Sequence, residues 1–156
     1  MDGAAASART GALVHARVIV GTVWAGSLWT VGYLVAPTLF KVLDSVQAGA
    51  IAGVIFRTQG WVALACAALM LLLLAGSGGM EPKRRRLLRL LVVAMLLCAA
   101  ANLLALQPMM AQIKAAAQGA LLTGEARSRF GMLHGVSMVV HLVQSVLAAW
   151  LVVKNR

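Results

Sequence analysis

Only four carboxylates occur in the chain, Asp2, Asp44, Glu81 and Glu125, and none of them falls inside an apolar run. Buried carboxylate chemistry, as general acid–base work or as a carboxylate-bridged metal centre, therefore has no candidates. Cysteine is scarcer still. Cys66 and Cys98 both sit in apolar stretches, which does not fit an extracellular disulfide framework, and they form no Cys-x-x-Cys pair. A phosphate-binding glycine loop, an HExxH motif and a Ser-His-Asp set are likewise missing. Charged residues make up only 12% of the 156, which excludes an ordinary soluble domain.

What fills the chain is apolar. Hydrophobic residues make up 62% of it and the mean hydropathy is +0.90. A bilayer span needs about 20 apolar residues, so this length accommodates four spans and no sizeable soluble domain. The formal charge of +10 would suggest nucleic acid on a soluble chain. Here the basic residues flank the hydrophobic runs, where they act as topology determinants, and the expected partner is lipid rather than nucleic acid.

The chain reads as an all-α, four-span membrane bundle. Residues 1–13 are small and polar and are expected to form a disordered tail; the apolar run that follows is too long for a signal-peptide core and lacks a cleavage site. The first span covers about 14–40, with Pro37 kinking or ending it. Thr22, Gly26 and Thr30 recur every four residues along it, a small-residue face for close helix approach. The second span covers 46–76 and holds a GxxxG pair, Gly49 and Gly53. These faces permit self-association without requiring it. Arg57, about three turns in, either snorkels to the headgroups or faces inward and holds an anion. Gly76 to Pro82 is a turn, and Lys83, Arg84, Arg85, Arg86 and Arg89 follow it. The third span, 87–107, carries Asn102 and Gln107 and meets Pro108. Residues 109–129 suit a periplasmic surface helix or loop, and Thr123 or Gly124 begins the last helix, whose span is 130–153.

Charge counting orients the bundle. Arg9, Arg17, Lys83, Arg84, Arg85, Arg86, Arg89, Lys154 and Arg156 lie on the side of the termini; Lys41, Arg57, Lys114, Arg127 and Arg129 lie on the other. Both termini are expected in the cytoplasm of a bacterial inner membrane.

The last span is the least uniform. Measured from His134, Ser137, His141, Gln144 and Ser145 stay on one helical face among Met, Val and Leu. Polar side chains at membrane depth normally turn inward to partners. By depth, Tyr33, Arg57, Gln59, Asn102, Gln107, His134 and Ser137 form a candidate outer-leaflet polar pocket, which His141 and Gln144 continue toward the midplane. His134 and His141 are about 10 Å apart along the axis at seven residues' spacing, too far to share one ion. His141 is expected to be neutral and hydrogen-bonded to another helix. Cys66 and Cys98 lie at similar depth and, with Met70 and Met95, offer soft ligands of the kind Cu(I) takes; lone intramembrane cysteines more often fill space.

The segments WAGSLWTVGYLVAPTLF (24–40), AGAIAGVIF (48–56), NLLALQP (102–108) and FGMLHGVS (130–137) resemble the bacterial domain-of-unknown-function 4149 family, itself similar to eukaryotic transmembrane protein 205. The resemblance implies a four-helix inner-membrane protein with no established activity. It marks Trp24, Gly26, Pro37, Phe40, Gly49, Gly53, Asn102, Pro108, Phe130, His134, Gly135 and Ser137 as motif positions. Trp24-x-Gly26 and Pro37-x-x-Phe40 more distantly resemble the copper-resistance D proteins and the four-helix membrane protoporphyrinogen oxidases, which have a histidine in the first helix. Here the nearest histidine is His15, at the helix mouth.

Three functions follow as expectations. The first is binding or transport of a small solute or metal ion through the polar pocket. The second is a haem- or quinone-linked redox protein with His134 or His141 as axial ligand. The third is a structural or assembly factor whose stripe only specifies packing.

Overall fold

A bilayer leaves no water for unpaired backbone groups, so long apolar runs must close their hydrogen bonds within themselves, as helices do. The computed structural model describes residues 2–77, 79–118 and 120–155, and among these every regular element is helical. In chain order they are α1 (Asp2–Trp29), a π-helical turn (Thr30–Val35), α2 (Ala36–Val42), α3 (Ser45–Ala75), α4 (Pro82–Ala100), a second π-helical turn (Ala101–Leu106), α5 (Gln107–Ala116) and α6 (Gly124–Lys154). They join into four rods long and apolar enough to cross a membrane, Thr10–Val42, Ser45–Ala75, Pro82–Ala116 and Gly124–Lys154. Contacts of α1 with α3, α3 with α4, α4 with α6 and α6 with α1 close the rods into a ring.

Local signals set most of the helix ends. Asp44 Oδ1 accepts from the Val46 and Gln47 amides at 2.9 and 3.0 Å, satisfying two of the free N–H groups that begin α3. Pro82 opens α4, where its fixed φ and missing N–H cost nothing. Most of the basic run after it is thus the first two turns of the third rod, ahead of the expected start at 87. Gly124, at φ +53°, follows the N-cap Thr123 and begins α6. Helix α1 begins at Asp2, within the segment 1–13 set apart as a tail.

The third rod departs from expectation. The sequence predicts a stop at Pro108, yet the helix continues to Ala116. A proline inside an α-helix lacks an N–H and clashes with the carbonyl four residues back. The chain absorbs this by widening first: just before Pro108, the Gln107 amide bonds to Asn102 O, five residues back. The same device precedes Pro37, where the Ala36 amide bonds to Val31 O. Each rod therefore passes its proline through a π-helical turn, a feature that recurs at functional sites.

The apolar core lies in the half of the bundle nearer the termini. It is built from Trp24 and Leu28, Ala67, Met70 and Leu74, Leu88, Val92 and Met95, and Ala148 and Leu151. Outward-facing Leu34, Leu72, Leu97, Leu104, Val139 and Val146 are each at least 60% exposed, a surface suited to lipid tails. The half away from the termini carries both π turns and most of the polar stripe.

Candidate functional site

Asn102 lies in the second π turn, and its Oδ1 accepts a hydrogen bond from Ser137 Oγ at 2.6 Å, joining the third rod to α6. One turn further along α6, the His141 ring meets Tyr33 of the first π turn (centroids 5.8 Å apart, 61°) and Phe56 of α3 (5.7 Å, 89°), both edge to face. The approach is close because residue 32 is glycine: a Cβ there would collide with His141 Nε2. That nitrogen is buried and has no hydrogen-bond partner among the described residues. The hydrogen bond expected of His141 is thus not made at Nε2; aromatic contact and the glycine position the ring instead.

The seam continues toward the core. Gln144 is 3% exposed, and its Nε2 also lacks a partner. Ser145 Oγ donates to His141 O at 2.8 Å, while Trp29 Nε1 donates to Ser145 O at 3.3 Å, tying α1 to α6. Gln59 Nε2 donates to Ser27 Oγ at 3.3 Å, and that hydroxyl donates to Trp24 O at 3.0 Å. Trp24 Nε1, in a fully buried side chain, has no partner. Three orphaned donors or acceptors, on His141, Gln144 and Trp24, therefore accompany the interface of α1, α3 and α6. Each buried polar group left unpaired costs about 1–3 kcal/mol. Natural interiors rarely tolerate several without a reason.

His134 belongs to a different cluster. It is exposed, stacked on Phe130 (5.9 Å, 8°), and Lys114 Nζ lies 5.1 Å from the Phe130 centroid. The same ammonium donates to Gly49 O at 2.8 Å. The sequence placed His134 with Asn102 and Tyr33, but the residue meeting Tyr33 is His141, and the residue joined to Asn102 is Ser137. Gln107 has a buried Oε1 without a partner. Arg57 is exposed and shares none of these contacts.

The small-residue faces serve less than expected within one chain. A Cβ at Gly26 or Gly53 would meet nothing within 4 Å, and Thr22 and Thr30 are exposed. Close approach occurs at Gly32, at Gly49, which admits Lys114, and at Gly60, where a Cβ would lie 2.9 Å from Leu103. Cys66 and Cys98 are free and half-buried. Among the described residues no group of three or more His, Cys, Asp or Glu is placed to hold a metal ion. A porphyrin would need the imidazole nitrogen facing an open slot; His141 Nε2 faces Gly32 instead, so His141 does not fit axial ligation.

Two contacts had no signal in the sequence. Lys114, in a stretch expected to be a surface connection, is anchored to Gly49, and Gly32 stood out in no motif.

A family described as Domain of unknown function (DUF4149) matches residues 19–119, a range holding both π turns, Gly32, Tyr33, Phe56 and Asn102. No curated protein and no solved structure matches the chain.

Proposed function

The chain belongs to the DUF4149 family, and from that premise we propose that it is a membrane protein that binds and passes a small polar solute along the α1–α3–α6 seam. The observation that carries this reading is the pair of unpartnered nitrogens, His141 Nε2 and Gln144 Nε2, one turn apart on α6 at membrane depth. Polar groups there are expensive and mark pathways or binding sites. In the form described the seam is closed, with His141 wedged against Gly32. The π turns before Pro37 and Pro108 are the natural places for the rods to flex. Opening would part α6 from the first π turn and offer the orphaned nitrogens to a solute. A metal-ion cargo is the less favoured form of the reading, because the seam offers imidazole and amide nitrogens but no thiolate or carboxylate. The hydrogen bonds Ser137–Asn102 and Trp29–Ser145 would equally suit a packing-only scaffold, and flux separates the two. In proteoliposomes under an osmotic step, urea, formamide or glycerol should enter faster than into protein-free vesicles. Entry at the protein-free rate for all three would contradict the proposal.

The same reading places the protein in a bacterial inner membrane with both termini cytoplasmic, supported by nine basic residues on the terminal side against five on the other. In a variant with both native cysteines replaced by serine, cysteine at exposed Gln118 should react with an impermeant thiol reagent in intact cells and cysteine at exposed Gly79 should not. The reverse pattern would overturn the orientation.

A further inference from the structure

The terminal end of the bundle holds a buried cation far from the polar seam. Arg17 of α1 is only 3% exposed. Its Nη1 donates to Ser77 Oγ at 2.7 Å and approaches Met80 Sδ at 4.0 Å, while its Nε has no partner among the described residues. Its backbone carbonyl accepts from Asn155 Nδ2 at 2.7 Å, which fixes the helix here against the end of α6. A guanidinium cannot shed its proton to escape burial, and a buried charge without a counter-charge is among the costliest arrangements in a protein.

Arg17 forms one wall of a cavity of about 280 Å³. Ser77 and Arg84 share the lining with it, and Glu81, the one carboxylate among the lining residues, is exposed. Arg84 commits Nε and Nη2 to Lys154 O, at 3.2 and 3.1 Å, which holds its guanidinium in place and leaves Nη1 outside those bonds. The cavity also adjoins the N-terminus of α4, whose first amides and positive dipole end favour an anion. Two guanidiniums and a helix N-terminus converge on this space, while the Ser77 hydroxyl accepts from Arg17 and donates to Leu73 O at 2.7 Å. An arginine fork matches the oxygens of a phosphate.

We propose that this cavity binds a phosphate group, presented by a lipid headgroup or as the free ion, with Arg17 and Arg84 as its charged ligands and Ser77 as the hydroxyl that holds Arg17 in position. The cavity lies at the ends of the rods, the level at which headgroups sit. Phosphate neutralises the buried charge and closes α1, α4 and the turn between α3 and α4 around one ligand.

The test uses the full chain in neutral detergent. Its melting is followed against inorganic phosphate, against chloride at matched ionic strength, and against short-chain phosphatidic acid or short-chain diacylglycerol, which lacks the phosphate. Stabilisation by phosphate beyond chloride assigns the free ion; stabilisation by phosphatidic acid and not by phosphate assigns a headgroup. Arg17→Gln should weaken the effective ligand at least tenfold. Because that substitution also removes a buried charge, apparent affinity and not melting temperature is the readout. Arg84→Gln, on a less buried residue, should give the same loss if Arg17→Gln does not fold. Arg89→Gln, outside the cavity, should keep the wild-type affinity. No stabilisation by either phosphate source, equal effects of phosphatidic acid and the phosphate-free diacylglycerol, or undiminished affinity in Arg84→Gln would overturn the proposal.

Discussion

Gly32→Ala should destabilise the bundle by about 2 kcal/mol, against the usual sense of a glycine-to-alanine change in a helix, since overpacking costs about 1–3 kcal/mol. Alanine in a helix interior normally gains roughly 0.5–1 kcal/mol over glycine. At residue 32 the new methyl would collide with His141 Nε2. The imidazole must then rotate out, giving up its edge-to-face contacts with Tyr33 and Phe56, each worth about 0.5–1.5 kcal/mol. His141→Ala alone loses those contacts but frees a buried nitrogen from an unpaired state, so its net cost should be smaller. The double variant Gly32→Ala with His141→Ala removes the collision and should regain most of the stability, a strong coupling of the kind expected between groups in contact. Equilibrium unfolding in detergent of the four species measures it. Additive effects of the two changes would show that the ring does not rest on Gly32.

The four rods were legible from apolar length alone, and two of the turns between them from short-range chemistry: the glycines after Ala75, and Gly124 at the start of α6. The polar face of α6 was legible too, because a period of 3.6 residues fixes which side chains share a side. What that face touches was not. Depth along one helix says nothing of which neighbour stands opposite, so the residue that meets Tyr33 is His141, while His134 stacks on Phe130. His141 reaches Tyr33 because Gly32, on another rod, leaves room for the ring. The π turns were illegible for a different reason. Pro37 and Pro108 signal a break, and only the tertiary setting decides that the helix widens and continues. Arg17 was counted with the other marginal charges, since charge counting treats basic residues as equivalent. Its burial depends on Ser77 and Asn155, which are 60 and 138 residues away in sequence.

The largest functional effect is expected from fixing the seam shut. Trp29→Cys with Ser145→Cys, in a chain lacking the native cysteines, places thiols on α1 and α6 where the Trp29 indole now bonds to Ser145 O, at the edge of the first π turn, and leaves His141 and Gln144 in place. A short bis-methanethiosulfonate reagent, which joins two thiols through reducible disulfides, should link α6 to α1 at the edge of the first π turn. If solute moves by parting these two elements, the link removes the path while leaving the rest of the bundle as it is. The linkage tests the seam more directly than loss of a side chain does, because the same protein is measured before linking, after linking, and after reductive release. Solute entry into proteoliposomes is the measurement. It should fall to the rate of protein-free vesicles on linking and return on reduction; an entry rate unchanged by the link would contradict passage through the α1–α6 seam.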